Sequence, residues 1–240
     1  MVEPQPSKLV VRVRFSSPAL NHRVTGMIAG VSATSSSAQP SPANEWDLYA
    51  ADWDANDAAR AYAQAAFASL QAAASELDVA LDGAEVLDFG CGTGLLAEIL
   101  VTAGCTVWAV DTSPAMLDAL NVKITDHGLA HVHTATTLPT GHDLFDLVVC
   151  SSVCAFVDDY PSTVVELAAL LRGGGMFVQW DWERQATDPH GLTRMEIRNA
   201  LGEAGLVDVS VHDAFSISVG EESMSPIMGY GLRPFDTAQT

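Results

Sequence analysis

Apolar residues recur along residues 57–77 at Tyr62, Ala66, Leu70, Ala73 and Leu77, spacings of four and three that trace one face of an Ala-rich helix. From residue 85 the pattern changes to short apolar runs separated by amphipathic stretches. EVLDFG (85–90) predicts a buried strand, LLAEILVTAG (95–104) a helix stopped by Gly104, and CTVWAVD (105–111) a second buried strand. Ser113 and Pro114 fit an N-cap and first turn before a helix face of Met116, Leu117, Leu120 and Ile124. HVHTA (131–135) and LFDLVVCSS (144–152) predict two more strands. Pro161 opens a helix running through Leu171 that the triplet Gly173, Gly174 and Gly175 closes, and MFVQWDW (176–182) is the next strand. Thr193 and Glu196 form a capping box ahead of Ile197, Leu201 and Ala204, with Gly205 as the stop. The runs 206–218 and 224–232 complete the pattern as two strands pairing antiparallel.

Strand and helix thus alternate five times. That order predicts an α/β fold: a doubly wound, mostly parallel seven-stranded sheet with helices on both faces, to which a C-terminal antiparallel hairpin adds an edge. One domain is expected over residues 44–235, followed by a tail at 236–240. Residues 32–43, SATSSSAQPSPA, are too poor in large apolar side chains to offset the entropy of ordering, so 1–43 read as a disordered extension. Within it, KLVVRVRFSSPAL resembles the translated 3′ end of a transfer-RNA gene, which makes Met27 the expected native start.

Charge narrows the partners. Asp and Glu number 30 against 11 Lys and Arg, a formal charge of −19. Residues 1–43 hold four basic residues and one acid, so the surplus belongs to the remainder. Such a chain repels polyphosphate backbones and anionic lipid surfaces, which excludes nucleic acid and membrane as expected partners and leaves a small molecule. No apolar run is long enough to span a bilayer. Cys91, Cys105, Cys150 and Cys154 form no CxxC pair and sit in apolar runs, as thiols of a cytoplasmic protein do.

The chemistry concentrates in EVLDFGCGTG (85–94), where a strand runs through Gly90-Cys91-Gly92-Thr93-Gly94 into a helix. At the carboxyl edge of a parallel sheet such a turn is a ligand site, and glycine lets a ligand approach backbone N–H groups at a helix N-terminus. The dinucleotide fingerprint G-x-G-x-x-G/A requires Gly or Ala where this chain has Leu95. Asp88, two residues before the first glycine, would repel a pyrophosphate and suits a ligand bearing an ammonium group.

With Asp88, Gly90, Gly92 and Gly94 the segment closely resembles the first motif, acid-x-G-x-G-x-G, of the class I S-adenosylmethionine-dependent methyltransferases. The resemblance extends over residues 46–232 and implies S-adenosyl-L-methionine as cofactor. It implies that Asp111, in VWAVDTSPAML, binds the ribose hydroxyls beside Thr112, and that Met116 packs on the adenine. It also implies that FDLVVCSSVCAFVDD (145–159), with Ser151, floors the methionine moiety, and that LLRGGGMFVQ (170–179) enters the fifth strand. Cys91 lies within the cofactor turn. Where many members carry an acid that contacts the adenine amino group, this chain has Thr134, so a hydroxyl or the backbone of Ala135 takes that place.

The same resemblance makes Trp46, Tyr49 and Trp53 part of a lid, with Tyr49 or Trp53 near the methionine end. WDWE (180–183) lies at the ligand edge, where Trp180 and Trp182 would shape an acceptor pocket and Asp181 or Glu183 would contact the acceptor. Asp181, Glu183, Asp158 and His142 are the candidates for a general base, and spacing singles out none, so no catalytic residue is assigned. His131 and His133 share one side of a strand, but no third ligand stands at a suitable offset, so no metal is expected. The expected function is methyl transfer to a small-molecule acceptor. Its alternatives are an NAD(P)-dependent oxidoreductase on the same kind of sheet and a non-catalytic S-adenosylmethionine-binding protein.

Overall fold

The computed structural model describes residues 46–185, 191–219 and 222–235. The expectations for residues 1–43 and for the tail 236–240 fall outside them. Helix α1 (Asp57–Glu76) begins where the Asn56 side chain accepts from the Ala58 and Ala59 amides at 2.9 and 3.4 Å, and it buries the predicted face. The chain continues as β1 (Glu85–Phe89), α2 (Leu95–Thr102), β2 (Thr106–Val110), α3 (Pro114–His127), β3 (Val132–Ala135), β4 (Phe145–Ser151) and α4 (Tyr160–Ala169). It ends with β5 (Leu171–Asp181), α5 (Arg194–Glu203), β6 (Val207–Asp213), β7 (Ile217–Val219), β8 (Glu222–Met224) and β9 (Ile227–Leu232). Ser113 caps α3 by accepting from the Met116 amide, and the Thr193–Glu196 capping box opens α5, both as the sequence predicts.

Seven strands form one sheet in the order β3-β2-β1-β4-β5-β9-β6. Strands β1 to β5 are parallel, while β9 runs antiparallel to both β5 and β6. The predicted antiparallel pair, β6 and β9, forms that end of the sheet, and β9 alone is reversed, lying between β5 and β6. The two predicted C-terminal runs are in fact four strands. Between β6 and β9 the chain leaves the sheet and makes a separate ribbon of β7 and β8. Burial explains the order: IMGYGL of β9 is buried through its first five residues, whereas VDVSVHD of β6 is exposed at both ends, which suits an edge.

Alternation along the strands divides two cores. Val86, Val107, Ala109, Leu147, Val149, Val178 and Trp180 face α1, α2 and α3, while Leu87, Phe89, Val148, Cys150 and Phe177 face α4 and α5. Two further expectations change. Helix α4 stops at Ala169, and Gly173, Gly174 and Gly175 belong to β5, where the ladder with β4 is irregular between Phe145 and Leu147. Gly174 has φ +81°, and a Cβ there would lie 2.3 Å from the Phe235 ring. Trp108 is 37% exposed in the strand expected to be buried. No helix joins β3 to β4, so that part of the sheet is uncovered and Trp108 packs on His133, ring centroids 4.9 Å apart.

Candidate functional site

A cavity opens at the carboxyl ends of β2, β1, β4 and β5, beneath the segment that precedes α1. Asp88, Gly90, Cys91, Gly92, Asp111, Thr112, Met116 and Ser151 line it together. Gly94, Thr134 and Ala135 do not. Gly94 is the N-cap of α2 at φ +81°, where a Cβ would lie 2.4 Å from Leu120. Thr134 donates to the Asn121 side chain at 3.0 Å, and the Ala135 carbonyl receives the Asp111 amide at 3.2 Å. These three residues buttress the wall from behind.

The glycine turn differs from its expectation in one chemical respect. Its amides are already engaged: Gly90 and Cys91 both donate to the Val110 carbonyl (2.7 and 3.1 Å), Gly92 to Asp111 Oδ2 (2.8 Å) and Gly94 to the Cys91 carbonyl (2.9 Å). Those four amides are therefore not open to a phosphate. Asp111 Oδ1 also accepts from the Ser113 amide at 2.8 Å, so its carboxylate is held rigidly. Asp88 is the reverse case. It is 1% exposed, and neither carboxylate oxygen has a hydrogen-bond partner. Burial first, and the neighbouring Asp111 second, push its pKa up to about 7. A buried carboxyl without a partner is costly to fold around, and a cationic ligand group is what would satisfy it.

Trp46 and Trp53 roof the cavity, with Trp46 packed edge-on against Phe156 at 5.9 Å and Trp53 at 6.0 Å. Tyr49 stands outside the wall, edge-on to Trp46. Two carboxylates tie this segment down. Asp47 accepts from the Ser113 hydroxyl and from the Ala115 amide (3.3 Å) at the start of α3. Asp54 accepts from the buried Thr93 hydroxyl (2.5 Å) and pairs with Lys123 (2.8 Å), which also meets Glu98 (2.8 Å). Asp54→Ala removes both of its ties, so release of a bound ligand should quicken about tenfold with little change in melting temperature. Stopped-flow displacement measures it, and an unchanged release rate would show that the ties do not hold the roof.

Among the acceptor-side candidates, Trp182 lines the cavity, whereas Trp180 lies deeper, fully buried, its Nε1 donating to Ser69 of α1 at 2.9 Å. Asp181 is corrected outright. The two-residue period of β5 places it with Gln179 on the opposite face, where it accepts from the Ala155 amide (3.1 Å) and from Gln179 Nε2 (2.9 Å). Tyr160 donates onward to Gln179 at 2.8 Å. Burial raises the Asp181 pKa to about 7, and its work is to hold the loop after β4. Glu183 is paired with Arg194 (2.9 and 3.0 Å). Asp158 and His142 are exposed and away from the cavity. The four cysteines are free and buried, and among the described residues no group of three or more His, Cys, Asp and Glu could hold a metal.

Ser152, Val153 and Phe156, from the segment 145–159 expected to floor the site, line it as well, whereas Ala59, Tyr62 and Ala63 of α1 were not expected there. Tyr62 and Ala63 carry the spacing of core residues, and their side chains close a cavity only because α1 crosses the strand ends.

Residues 87–179 match a family model described as a methyltransferase domain. The ubiquinone biosynthesis O-methyltransferase of Aromatoleum aromaticum is 35% identical over 99 residues, 40% of this chain and 42% of that one. The protein of the same name from Xanthomonas oryzae pv. oryzae is 32% identical over 139 residues, 55% and 54% of the two chains. The chain thus spans about half the length of the curated relatives it matches. In fold it is similar to Burkholderia thailandensis 1,6-didemethyltoxoflavin-N1-methyltransferase, solved with 1,6-didemethyltoxoflavin and S-adenosylhomocysteine: TM-score 0.56 and 18% identity, covering 71% of this chain and 78% of that one.

Proposed function

Because the chain carries a methyltransferase domain of the class I S-adenosylmethionine-dependent type, we propose that it transfers a methyl group from this cofactor to a small-molecule acceptor. The observation that carries the reading is an unpartnered buried Asp88 beside a turn whose three glycine amides are spent internally. Such a site welcomes an ammonium and a sulfonium and turns away a diphosphate, which also disfavours the nicotinamide alternative. Asp88 would meet the aminoacyl ammonium, and Asp111 would accept from the ribose hydroxyls through the lone pairs that Gly92 and Ser113 leave over. Thr112 and Met116 would flank the base.

The bound cofactor supplies a methyl group on a cationic sulfur, and the protein's task is alignment and exclusion of water. Trp46, Trp53 and Phe156 close the roof, and rigid orientation of this kind contributes about 7–11 kcal/mol to lowering a barrier in favourable cases. Apart from Asp88 and Asp111, the lining holds no charged side chain among the described residues. The chain's acidity supports a metabolite over a nucleic acid, and buried free thiols support a cytoplasmic setting.

Calorimetry tests the reading. S-adenosylhomocysteine should bind in the micromolar range and NADH should not, and the reverse order would refute the proposal. Asp111→Ala removes a charged acceptor, so affinity should fall about 10- to 100-fold, and an unchanged value would remove its ribose role. Release of S-adenosylhomocysteine during turnover with a metabolite panel separates an enzyme from a non-catalytic binder.

A further inference from the structure

The cavity crosses four strand ends. At about 4.8 Å between neighbours, that is a span of about 14 Å from β2 to β5. The residues that suit the cofactor stand over β2 and β1. Over β4 and β5 the lining changes to Phe156 and Trp182, with the hydroxyls of Tyr62, Ser151 and Ser152.

We infer that this half of the cavity is an acceptor subsite for an uncharged ring-bearing molecule with one protic group, and that Tyr62 and Ser152 are its polar anchor. The inference rests on the methyltransferase reading above and adds the class of acceptor and the residues that select it.

Three observations carry it. Ser152 has φ +55°, the left-handed region that a serine rarely occupies, and its amide donates to the Trp180 carbonyl at 2.8 Å to hold that backbone. In this conformation its hydroxyl donates to the Tyr62 oxygen at 2.9 Å. Ser152 is the donor of this bond, so the Tyr62 proton is left to be given. The phenol is itself fixed, since Tyr62 is 4% exposed and its ring packs against Trp182 (5.8 Å) and Phe215 (5.2 Å).

Charge completes the case. Among the described residues the charged lining side chains are Asp88 and Asp111, both on the cofactor side. An anionic acceptor would find no counterion and would be repelled by both. A cationic one would be drawn to Asp88 in competition with the cofactor. An uncharged ring offering an oxygen or nitrogen to the Tyr62 proton meets neither obstacle, and aromatic walls favour it.

The test uses the full chain saturated with S-adenosylhomocysteine and four probes of one shape: 4-ethylphenol, ethylbenzene, 4-ethylbenzoate and 4-ethylbenzylammonium. Binding is read by ligand-observed NMR. The phenol should bind at least fivefold more tightly than the other three. In Tyr62→Phe and in Ser152→Gly the preference for phenol over ethylbenzene should shrink to within twofold, with S-adenosylhomocysteine affinity unchanged. Ser152→Gly also relieves the strained backbone, so its melting temperature should not fall, and it carries the test should Tyr62→Phe fold poorly. Equal binding of phenol and ethylbenzene in the parent, a preference that survives both substitutions, or an ion that binds as tightly as the phenol would overturn the assignment. A parent that does not bind S-adenosylhomocysteine overturns the methyltransferase reading itself, and this inference with it.

Discussion

Asp88→Asn should weaken S-adenosylhomocysteine binding at least 100-fold at pH 8 and abolish its dependence on pH. In the free protein, burial and Asp111 push the Asp88 pKa up to about 7, so below neutrality the carboxyl holds a proton. An ammonium needs the anion, and binding must therefore expel that proton. Parent affinity should fall about tenfold for each pH unit below 7, and calorimetry in buffers of different ionisation enthalpy should detect about one proton released near pH 6.5. A loss of 100-fold is about 2.7 kcal/mol, within the range of about 1.5–3 kcal/mol for a hydrogen bond to a charged group. Stability of the free protein has the opposite sign. A carboxyl whose folded pKa is raised favours the fold at low pH, and that contribution is lost as pH rises from about 4 through 7. Asp181, also raised to about 7, adds to the same slope. Melting temperature without ligand should fall across that window, less steeply in Asp88→Asn. Equal affinity at pH 5.5 and 8 would show that no cation meets this carboxyl.

Gly92→Val and Gly94→Val should fail in different ways although only one residue separates the two sites. A Cβ at Gly92 would have Met116 Sδ, 4.0 Å away, as its nearest neighbour, so a side chain there enters the cavity. The backbone is left-handed at φ +54°, and the expected strain is about 1–2 kcal/mol, a drop of about 2–8 °C in melting temperature for a chain of this size. Cofactor binding should vanish while the circular-dichroism spectrum stays that of the parent. At Gly94 a Cβ would sit 2.4 Å from the Leu120 side chain, within the contact between α2 and α3, and φ is +81°. Gly94→Val should lower the melting temperature by more than 10 °C or leave the chain insoluble. Similar melting temperatures for the two variants, or ligand binding by Gly92→Val, would contradict this division.

The difference between those glycines was not legible in the sequence. Asp88, Gly90, Gly92 and Gly94 share one motif, yet three of them line the cavity and the fourth packs a helix junction. Local spacing reports that a turn must be tight, and it does not report which neighbour arrives from residue 120. Asp181 teaches the same point from the other side. Its position at the ligand edge was readable, but the face it takes depends on the register of β5, and that face belongs to α4 and α5. Trp182, one residue on, takes the other face and reaches the cavity.

By itself the sequence determined the alternation of strands and helices, the caps at Ser113 and Thr193, and the tight turn that follows Asp88. These depend on apolar period and on hydrogen bonds between residues a few positions apart, and both are written locally. Tertiary structure decided the insertion of β9 between β5 and β6, the use of the glycine amides by Val110 and Asp111, and the meeting of Tyr62 with Ser152 across 90 residues. Each is a competition among distant partners for burial or for one donor, and only the packed chain settles it.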